Sequence, residues 1–339
     1  MSSHDNLADA VKEMAIQAGF ARVGIAPAGP VPHAEAYEAW LSRGYNAGMA
    51  YMPANREKRL EPAKLVEGAR SVICLAAQYD YIDRPAGSAA FVARYARGTD
   101  YHEALKHRCR TLGDDIRRIA PHFEGRAFAD SAPVMERSLA ALAGVGWIGR
   151  NAMLIVPGIG SYVLLCEIIC NLPLPADSPI ESGCRNCGAC LAACPTSAIC
   201  DDGLVDARRC ISYLTVEHRG TIPAEFWPLV GSRVFGCDTC QEACPQNQRA
   251  AASPRVAAPA CGECRTLAEI LAWTRQDWDA ATRGSATRRA TYEMFLRNAC
   301  LAAGNSADAS LRRPLTALRR RAPELSREID WALARLVGV

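Results

Sequence analysis

Two cysteine-rich motifs lie between Cys184 and Cys244, and their spacing suits ligands of iron–sulfur clusters. The first motif reads Cys-x2-Cys-x2-Cys-x3-Cys-Pro and comprises Cys184, Cys187, Cys190 and Cys194. In the bacterial run of this form, three cysteines bind one 4Fe–4S cluster and the fourth binds a second cluster. The motif therefore predicts two clusters and requires a partner motif elsewhere in the chain.

The partner motif, Cys-x2-Cys-x3-Cys-Pro, comprises Cys237, Cys240 and Cys244 but lacks a leading cysteine, and Val234 occupies that place. The two motifs supply seven thiolates, whereas two clusters with four thiolates each take eight. Four further cysteines lie nearby, namely Cys200, Cys210, Cys261 and Cys264. We assign Cys210 as the eighth ligand because it lies on a predicted helix between the two motifs.

The predicted ligand sets are crossed between the motifs. One cluster takes Cys184, Cys187, Cys190 and Cys244, and the other takes Cys194, Cys210, Cys237 and Cys240. Zinc at the Cys-x2-Cys pairs is the alternative, but a zinc site has no use for a repeated x3-Cys-Pro element. The remaining cysteines are interpreted as incidental (Cys261 and Cys264) or as core residues (Cys74, Cys109, Cys166, Cys170 and Cys300).

The composition of the chain indicates the kind of cellular compartment in which these cysteines lie. The chain has 339 residues, of which 16 are cysteine and half are hydrophobic, and its net charge is +3. Residues 1–20 form an amphipathic helical pattern without the features of a signal peptide, and there is no apolar run of membrane-spanning length. We therefore expect a cytoplasmic protein with no membrane segment, in a compartment where thiols bind metals rather than form disulfides.

The pattern of apolar residues predicts an α+β fold with three parts. Residues 1–172 mix β-branched runs and helical patterns without regular interleaving, which disfavours a doubly wound sheet. Residues 173–250 hold the cluster motifs and are predicted to form a two-cluster ferredoxin-like domain. Residues 266–339 consist of short helical patterns and are predicted to form a helical-repeat domain resembling HEAT repeats.

Five further motifs, one of them within the cysteine segment and the others on either side of it, resemble the epoxyqueuosine reductase family over nearly the whole chain. In order they are Arg97–His102, Asp130–Arg137, Gly146–Asn151, Cys210–Glu217, and Arg283 to Asn305. The resemblance implies an enzyme that reduces epoxyqueuosine to queuosine at the wobble position of tRNA. It also implies that residues 1–172 bind cobalamin, base-off and without a protein histidine on cobalt, and that two 4Fe–4S clusters feed it.

The resemblance also implies partners and site residues. The partners are tRNA carrying epoxyqueuosine and an external low-potential electron donor of flavodoxin or ferredoxin type, and the chain is expected to be a monomer. The family's catalytic acid falls on Asp130, although Asp-Ser-Ala-Pro before a helical run also suits a helix cap. A working acid is expected to have a raised pKa. The candidate cobalamin contacts are Arg56, Tyr101, Asp130, Arg150, Asn151, Ser212 and Asp238.

The C-terminal part carries the candidate tRNA contacts. Between residues 281 and 321 nine arginines face only two acidic residues, whereas the whole chain has a net charge of +3. This asymmetry suits contacts with RNA phosphates, and the candidates are Arg288, Arg289 and Arg297. A solvated helix face is the alternative for this segment. Two other functions stay open, an electron carrier without its own substrate and a cobalamin enzyme acting on another leaving group.

Overall fold

The computed structural model describes residues 3–79, 90–248 and 265–336 of the chain. Its strands are β1 (Arg22–Pro27), β2 (Ser71–Gln78), β3 (Phe91–Val92), β4 (Gly125–Phe128), β5 (Trp147–Ile148), β6 (Leu154–Ile155), β7 (Val163–Cys170) and β8 (Arg233–Phe235). Its helices up to the end of the cysteine-rich segment are α1 (Ser3–Gln17), α2 (Ala34–Ser42), α3 (Arg56–Leu60), α4 (Tyr101–Ile119), α5 (Glu136–Leu142), α6 (Ala189–Ala193), α7 (Ile211–Val216), α8 (Trp227–Val230), α9 (Thr239–Glu242) and α10 (Pro245–Gln248). The last helices are α11 (Leu267–Ala272), α12 (Arg275–Thr282), α13 (Tyr292–Asn305), α14 (Arg312–Arg321) and α15 (Ser326–Arg335).

A four-stranded sheet in the order β1-β2-β7-β4 forms the centre of the N-terminal part. Each pairing is antiparallel, with Cys74 of β2 opposite Glu167 of β7 and Phe128 of β4 opposite Glu167 on the other side. Every residue of β2 is buried, because helices cover both faces of the sheet. The predicted mixture of helices and strands is confirmed, and the antiparallel pairing is that of an α+β fold.

Helices α1 and α4 pack on one face of the sheet, where Val11, Leu105, Leu112 and Ile116 join a core with Ile73. Helix α5 packs on the other face, where Leu139 and Ala140 meet Val72, Cys74 and Ile169. The loop from β4 to α5 therefore leaves the edge strand of the sheet and crosses to the face covered by α5. Asp130 lies in this loop.

The cysteine-rich segment joins the N-terminal part through a short parallel pair, in which Phe91 of β3 faces Arg233 of β8 and Val92 faces Phe235. Helices α6 and α9, which contain Cys190 and Cys240 of the two motifs, pack against each other. Gly188 precedes α6 with a φ of +63°, a left-handed conformation that glycine adopts without strain. This turn lets the backbone wrap closely around the first cysteine motif.

The C-terminal helices pack against one another and against the cysteine-rich segment. Helix α13 contacts α11 and α15, and it also packs on α7, α8 and β8. Most of α13 is buried, from Met294 to Gly304. Within the described residues, no helix is both long and apolar enough to cross a membrane.

Candidate functional site

The four cysteines assigned to the first cluster line a single cavity. This cavity has a volume of about 330 Å³, and Cys184, Cys187, Cys190 and Cys244 all contribute to its wall. Cys244 comes from the second motif, so the crossing of the ligand sets has a direct structural counterpart. A cradle lined by four thiols suits a 4Fe–4S cluster.

The four cysteines assigned to the second cluster are electrostatic neighbours. The pKa of the Cys210 thiol is raised to about 11, mainly by burial, against backbone hydrogen bonds that lower it, and Cys237 and Cys194 make smaller contributions in the same direction as burial. Burial also raises the pKa of Cys240, with Cys237 and Cys210 as the next contributors among its charged neighbours. Buried neutral thiols gain from metal binding because the metal takes the place of the proton.

The other cysteines have different surroundings. Cys200 lies 3.7 Å from the hydroxyl of Tyr45 through its Sγ atom, whereas Cys261 and Cys264 lie outside the described residues. The cysteines interpreted as core residues are buried, namely Cys74, Cys109, Cys166, Cys170 and Cys300. In the part of the chain that the structure describes, no three histidine, cysteine or acidic side chains are grouped to hold a single metal ion.

Asp130 does not cap a helix. Helix α5 begins six residues later, after Met135, and no side chain caps it. Asp130 has a φ of +53°, a left-handed conformation that aspartate tolerates better than most residues. Its backbone N–H donates to Oε1 of Glu136 at 2.5 Å. The alternative interpretation of this motif as an N-cap is therefore wrong, and a glutamate at the start of α5 holds the loop instead.

Two residues at the start of α4 hold the Asp130 side chain. The hydroxyl of Tyr101 donates to Oδ2 of Asp130, and Nε2 of His102 lies 3.3 Å from the same oxygen. The Asp130 side chain is nevertheless 56% exposed, and Oδ1 has no hydrogen-bond partner among the described residues. The carboxylate is thus fixed through one oxygen and open through the other.

The charge state of Asp130 differs from the expectation. The hydrogen bond from His102 lowers the pKa of Asp130, and this effect outweighs burial, which raises it. The same hydrogen bond raises the pKa of His102. The expected rise in the pKa of Asp130 is therefore wrong for this state of the site, because the proton resides on the imidazole beside it.

Two further carboxyl groups lie behind Asp130. Burial raises the pKa of Glu136 to about 8, and the charge of Asp130 adds to the rise. Glu167 is 0% exposed, and neither of its carboxyl oxygens has a hydrogen-bond partner among the described residues. Burial raises the pKa of Glu167 as well, so both groups are held in the neutral form.

The Asp130 site lies beside the cysteine-rich segment. The ring of Tyr95 lies 6.1 Å from that of Tyr101 and 6.2 Å from that of Phe235 in β8. Burial raises the pKa of Tyr95, and the charges of Asp130 and Asp238 act on the same hydroxyl. Because Asp238 follows a predicted ligand of the second cluster, the open carboxylate lies within electrostatic range of that cluster's loop.

The other predicted cobalamin contacts are scattered. Arg56 is exposed and pairs with Glu38, and Ser212 is half-buried on α7. Arg150 and Asn151 line the cavity of the first cluster.

Asp238 is different, since it is 1% exposed and its Oδ2 accepts the backbone N–H of Arg94 at 2.8 Å. This carboxyl ties two segments of the protein together, and the contact of Asp238 with the cofactor stays a prediction.

Of the three predicted tRNA contacts, two are exposed and one is buried. Arg289 is exposed, forms two hydrogen bonds with Glu217, and lies over the exposed ring of Tyr51. Arg288 is exposed and pairs with Asp279. The charges of Glu217, Arg289 and Asp130 all act on the hydroxyl of Tyr51, and the guanidinium of Arg289 lies 5.3 Å from the centre of the Tyr51 ring.

Arg297 is 2% exposed, and its guanidinium donates to the carbonyl oxygens of Leu214, His218 and Gly220. The predicted tRNA contact at Arg297 is wrong, because this side chain fastens α13 to the cysteine-rich segment. Its neighbour Asn298 is also buried and donates to the carbonyls of Thr215 and Val234.

Sequence reasoning missed His102 and Glu136 as members of the site. Both residues contact partners that are distant in sequence or lie across a loop. Neither the spacing of the motifs nor the distribution of charge indicated a role for His102 or Glu136. An isolated signal existed for His102, because Asp100, Tyr101 and His102 are adjacent polar residues at the start of a long helix.

Comparisons with known proteins agree with this arrangement. The family model for a 4Fe-4S double cluster binding domain matches residues 183–247, and that for "Epoxyqueuosine reductase QueG, DUF1730" matches residues 59–131. The chain is 40% identical to an epoxyqueuosine reductase of Pseudomonas aeruginosa, over 97% of this chain and 94% of that protein. It is 37% identical to an epoxyqueuosine reductase of Escherichia coli, over 98% of this chain and 90% of that protein.

Solved structures match as well. A crystal structure of epoxyqueuosine reductase with an epoxyqueuosine-modified tRNA-Tyr stem loop aligns with a TM-score of 0.88 at 30% identity, covering 98% of this chain and 90% of that one. The epoxyqueuosine reductase of Streptococcus thermophilus aligns with a TM-score of 0.90 at 27% identity, covering 98% and 91%. The sequence motifs, the cysteine cradle and these matches together show that the chain belongs to the epoxyqueuosine reductase family.

Proposed function

We propose that this protein reduces epoxyqueuosine to queuosine at the wobble position of tRNA. The observation that carries the proposal is the open Oδ1 of Asp130, beside the loop of the second cysteine set. The overall change adds two electrons and two protons to the epoxide, leaving an alkene and releasing water. The site must therefore deliver both electrons and protons to one strained C–O bond.

The electrons reach the site through two 4Fe–4S clusters on the crossed cysteine sets. The cavity lined by Cys184, Cys187, Cys190 and Cys244 fits the first cluster, and the mutual proximity of the second set fits the other. Each cluster transfers one electron at a time. An external low-potential donor of flavodoxin or ferredoxin type loads the clusters.

The cofactor that would act on the substrate is cobalamin. Binding without a histidine on cobalt is supported by His102, because both of its ring nitrogens face carboxylates rather than open space. When bound, reduced cobalamin supplies low-potential electrons to the epoxide C–O bond. Arg56, Arg150, Asn151 and Ser212 would contact its amides and nucleotide tail, with Tyr101 close to its reacting face.

Asp130 acts as the acid for the departing oxygen. Breaking the epoxide C–O bond places negative charge on oxygen, and a proton from Oδ1 of Asp130 neutralises that charge. Tyr101 and Glu136 fix the carboxyl through Oδ2 and the backbone N–H, so the open oxygen keeps one orientation. A solved epoxyqueuosine reductase from Bacillus subtilis is described with an aspartate catalytic loop swung out of the active site, which supports an aspartate in this role.

The substrate arrives as part of a tRNA. Arg288 and Arg289 are the candidate contacts to the phosphates, and Arg289 lies over the ring of Tyr51. A related enzyme has been solved with a modified tRNA stem loop, which supports a similar complex here. We assign the three functions to residues 1–172, 173–250 and 266–339, the last as a helical-repeat unit, and expect the enzyme to act as a monomer.

The test is reconstitution of the purified chain with iron, sulfide and cobalamin, followed by reductant and tRNA bearing epoxyqueuosine. Nucleosides from the digested tRNA are separated and identified by mass. We expect queuosine in the complete reaction and none when cobalamin is omitted. Queuosine absent from the complete reaction rejects the function, and leaves a simple electron carrier as the interpretation. Queuosine formed without cobalamin rejects the cofactor.

A further inference from the structure

The environment of His102 suggests a second proton source in the site. Its Nδ1 lies 2.6 Å from Oδ1 of Asp100, and its Nε2 lies 3.3 Å from Oδ2 of Asp130. Both ring nitrogens therefore face carboxylate oxygens, and only the doubly protonated ring can donate to both. The structure holds a row of carboxylate, imidazolium and carboxylate that ends at the open oxygen of Asp130.

The stoichiometry of the reaction requires such a reserve. Both protons of the overall change go to the same oxygen, which leaves as water. One carboxyl group carries one proton at a time, and Asp130 starts as a carboxylate, so it must be loaded once for each of the two transfers. A carboxyl can accept a proton at one oxygen and release a proton from the other. In Asp130 these are Oδ2, which faces His102, and Oδ1, which is open.

We propose that His102, oriented by Asp100, is the relay residue that returns a proton to Asp130 within each turnover. This inference rests on the proposed function and adds a second proton donor to it. The N–H bond at Nε2 breaks, an O–H bond forms at Oδ2 of Asp130, and neutral His102 then recovers a proton from solvent. The electrons come from the external donor by way of the clusters, and the relay moves protons only.

The position of His102 suits both halves of this exchange. Its side chain is 28% exposed, so the ring reaches solvent as well as Asp130. Asp100 caps α4 by accepting the backbone N–H of His102 at 3.0 Å, and the ring of Tyr101 stacks on the imidazole at 4.1 Å. The N–H of Asp100 in turn donates to the carbonyl of Gly284, from the C-terminal part. These contacts restrict the ring to one orientation.

Among the described residues, the charged and titratable groups nearest the relay lie on α4, on the loop after β4 and on α5, and they include Arg137, whose charge lowers the pKa of Asp130. Asp100 and Tyr101 lie on its own helix, Asp130 lies on the loop after β4, and Glu136 lies behind Asp130 at the start of α5. The hydrogen bonds to Asp130 and Asp100 raise the pKa of His102 above its ordinary value, against burial, which lowers it. The reserve is therefore full below this raised pKa and empties as the pH rises through it.

The first experiment measures single-turnover formation of queuosine across pH 6–9 with wild type, His102→Gln and Asp100→Asn. Glutamine keeps a hydrogen-bonding side chain but cannot donate an acidic proton in this pH range. We expect His102→Gln to slow the reaction about 100-fold and to remove the decline at high pH. We expect Asp100→Asn to move that decline to lower pH. The control is His107→Gln, an exposed histidine on the same helix, which should match wild type.

A second measurement does not depend on turnover. NMR titration of labelled histidine in the cluster-loaded protein should give His102 a pKa above the ordinary value for histidine, and Asp130→Asn should lower it. Iron content and tRNA affinity of each variant show whether it is folded. If His102→Gln loses its iron, the titration and Asp100→Asn decide the question. A wild type that forms no queuosine defeats the proposed function, whereas wild-type rates and pH dependence in His102→Gln, or an ordinary His102 pKa, defeat the relay alone.

Discussion

The backbone N–H of Asp130 donates to Oε1 of Glu136 at 2.5 Å, across the loop that connects β4 to α5. This bond closes the loop around a residue in the left-handed conformation, with a φ of +53°. Because of this bond, the two neighbouring carboxyl groups have different functions. The Glu136 carboxyl holds the backbone, and the Asp130 carboxyl is left open to the substrate.

We predict that the acceptor at Glu136 matters more than its charge. Glu136→Gln keeps a carbonyl oxygen for the Asp130 N–H, whereas Glu136→Leu removes it and frees the loop. Single-turnover rates should fall about tenfold or more in Glu136→Leu, since a hydrogen bond of this kind contributes about 1.5 kcal/mol. Glu136→Gln should stay within about threefold of wild type. Equal rates in the two variants would show that the bond has no part in positioning Asp130.

The pH dependence of Glu136 has a definite sign. Its pKa is raised to about 8 in the folded protein from an ordinary value near 4.5. The stabilising contribution of this neutral group is complete below about pH 4.5 and is lost as the pH rises through about 8. We predict that thermal inactivation at a fixed heating rate occurs at lower temperature at pH 8.5 than at pH 6.5. The difference should shrink in Glu136→Gln, and an unchanged difference would place the titrating group elsewhere.

Iron content tests the assignment of the eighth ligand. Cys210→Ser should lose about half of the iron and one of the two cluster signals in electron paramagnetic resonance, because one complete cysteine set is broken. Cys200→Ser is the matched control, since Cys200 also lies between the motifs but its Sγ faces Tyr45. We expect this control to keep both clusters. Loss of a cluster in Cys200→Ser with retention in Cys210→Ser would reverse the assignment.

The buried guanidinium of Arg297 predicts a defect of stability rather than of tRNA binding. Burial lowers the pKa of Arg297 to about 10, and Glu328 on α15 opposes that shift. Arg297→Met leaves the carbonyl oxygens of Leu214, His218 and Gly220 without their donor and should cost about 3–5 kcal/mol. Arg313→Met, at an exposed position of α14, should cost less than about 0.5 kcal/mol. The two variants are compared by thermal unfolding at one scan rate. Equal midpoints would refute the role of Arg297 in fastening α13 to the cysteine-rich segment.

Salt dependence tests the contacts of Arg288 and Arg289 with tRNA. Reversing both charges to glutamate should weaken binding and reduce the slope of log affinity against log salt by about 1 to 2. A control with the same change in net charge reverses Arg22 and Arg110, which are exposed on β1 and α4. That control should leave the slope almost unchanged. A slope insensitive to Arg288 and Arg289 would exclude them as phosphate contacts.

The sequence was most informative where the chemistry is local. Seven cluster cysteines follow from spacing within two short motifs, and the cavity wall agrees with the crossing that this spacing predicts. Long runs such as Ser71–Gln78 and Tyr101–Ile119 were also predictable, because burial or amphipathicity extends over many residues. Short strands such as Gly125–Phe128 depend on a distant partner and left no pattern to read.

The Asp130 site depends on contacts between distant segments. Asp130 itself was assigned through the family resemblance, while His102 and Glu136 acquire their roles only when α4, the loop and α5 meet. The prediction for Arg297 failed for a different reason. A count of charges does not reveal which side of a helix is buried. The apolar sequence around it was a usable signal, because a helix that is apolar on all sides is a buried one.

The most direct test of the central claim is single-turnover conversion of epoxyqueuosine in tRNA by wild type and Asp130→Asn, each loaded with clusters and cobalamin. Asparagine keeps the shape of the side chain and its contacts through one oxygen but cannot donate an acidic proton. We predict one equivalent of queuosine per wild-type active site, and a rate at least about 100-fold lower in Asp130→Asn with the same iron content and tRNA affinity. Queuosine formed at the wild-type rate by Asp130→Asn would contradict the role of Asp130 as the acid of this site.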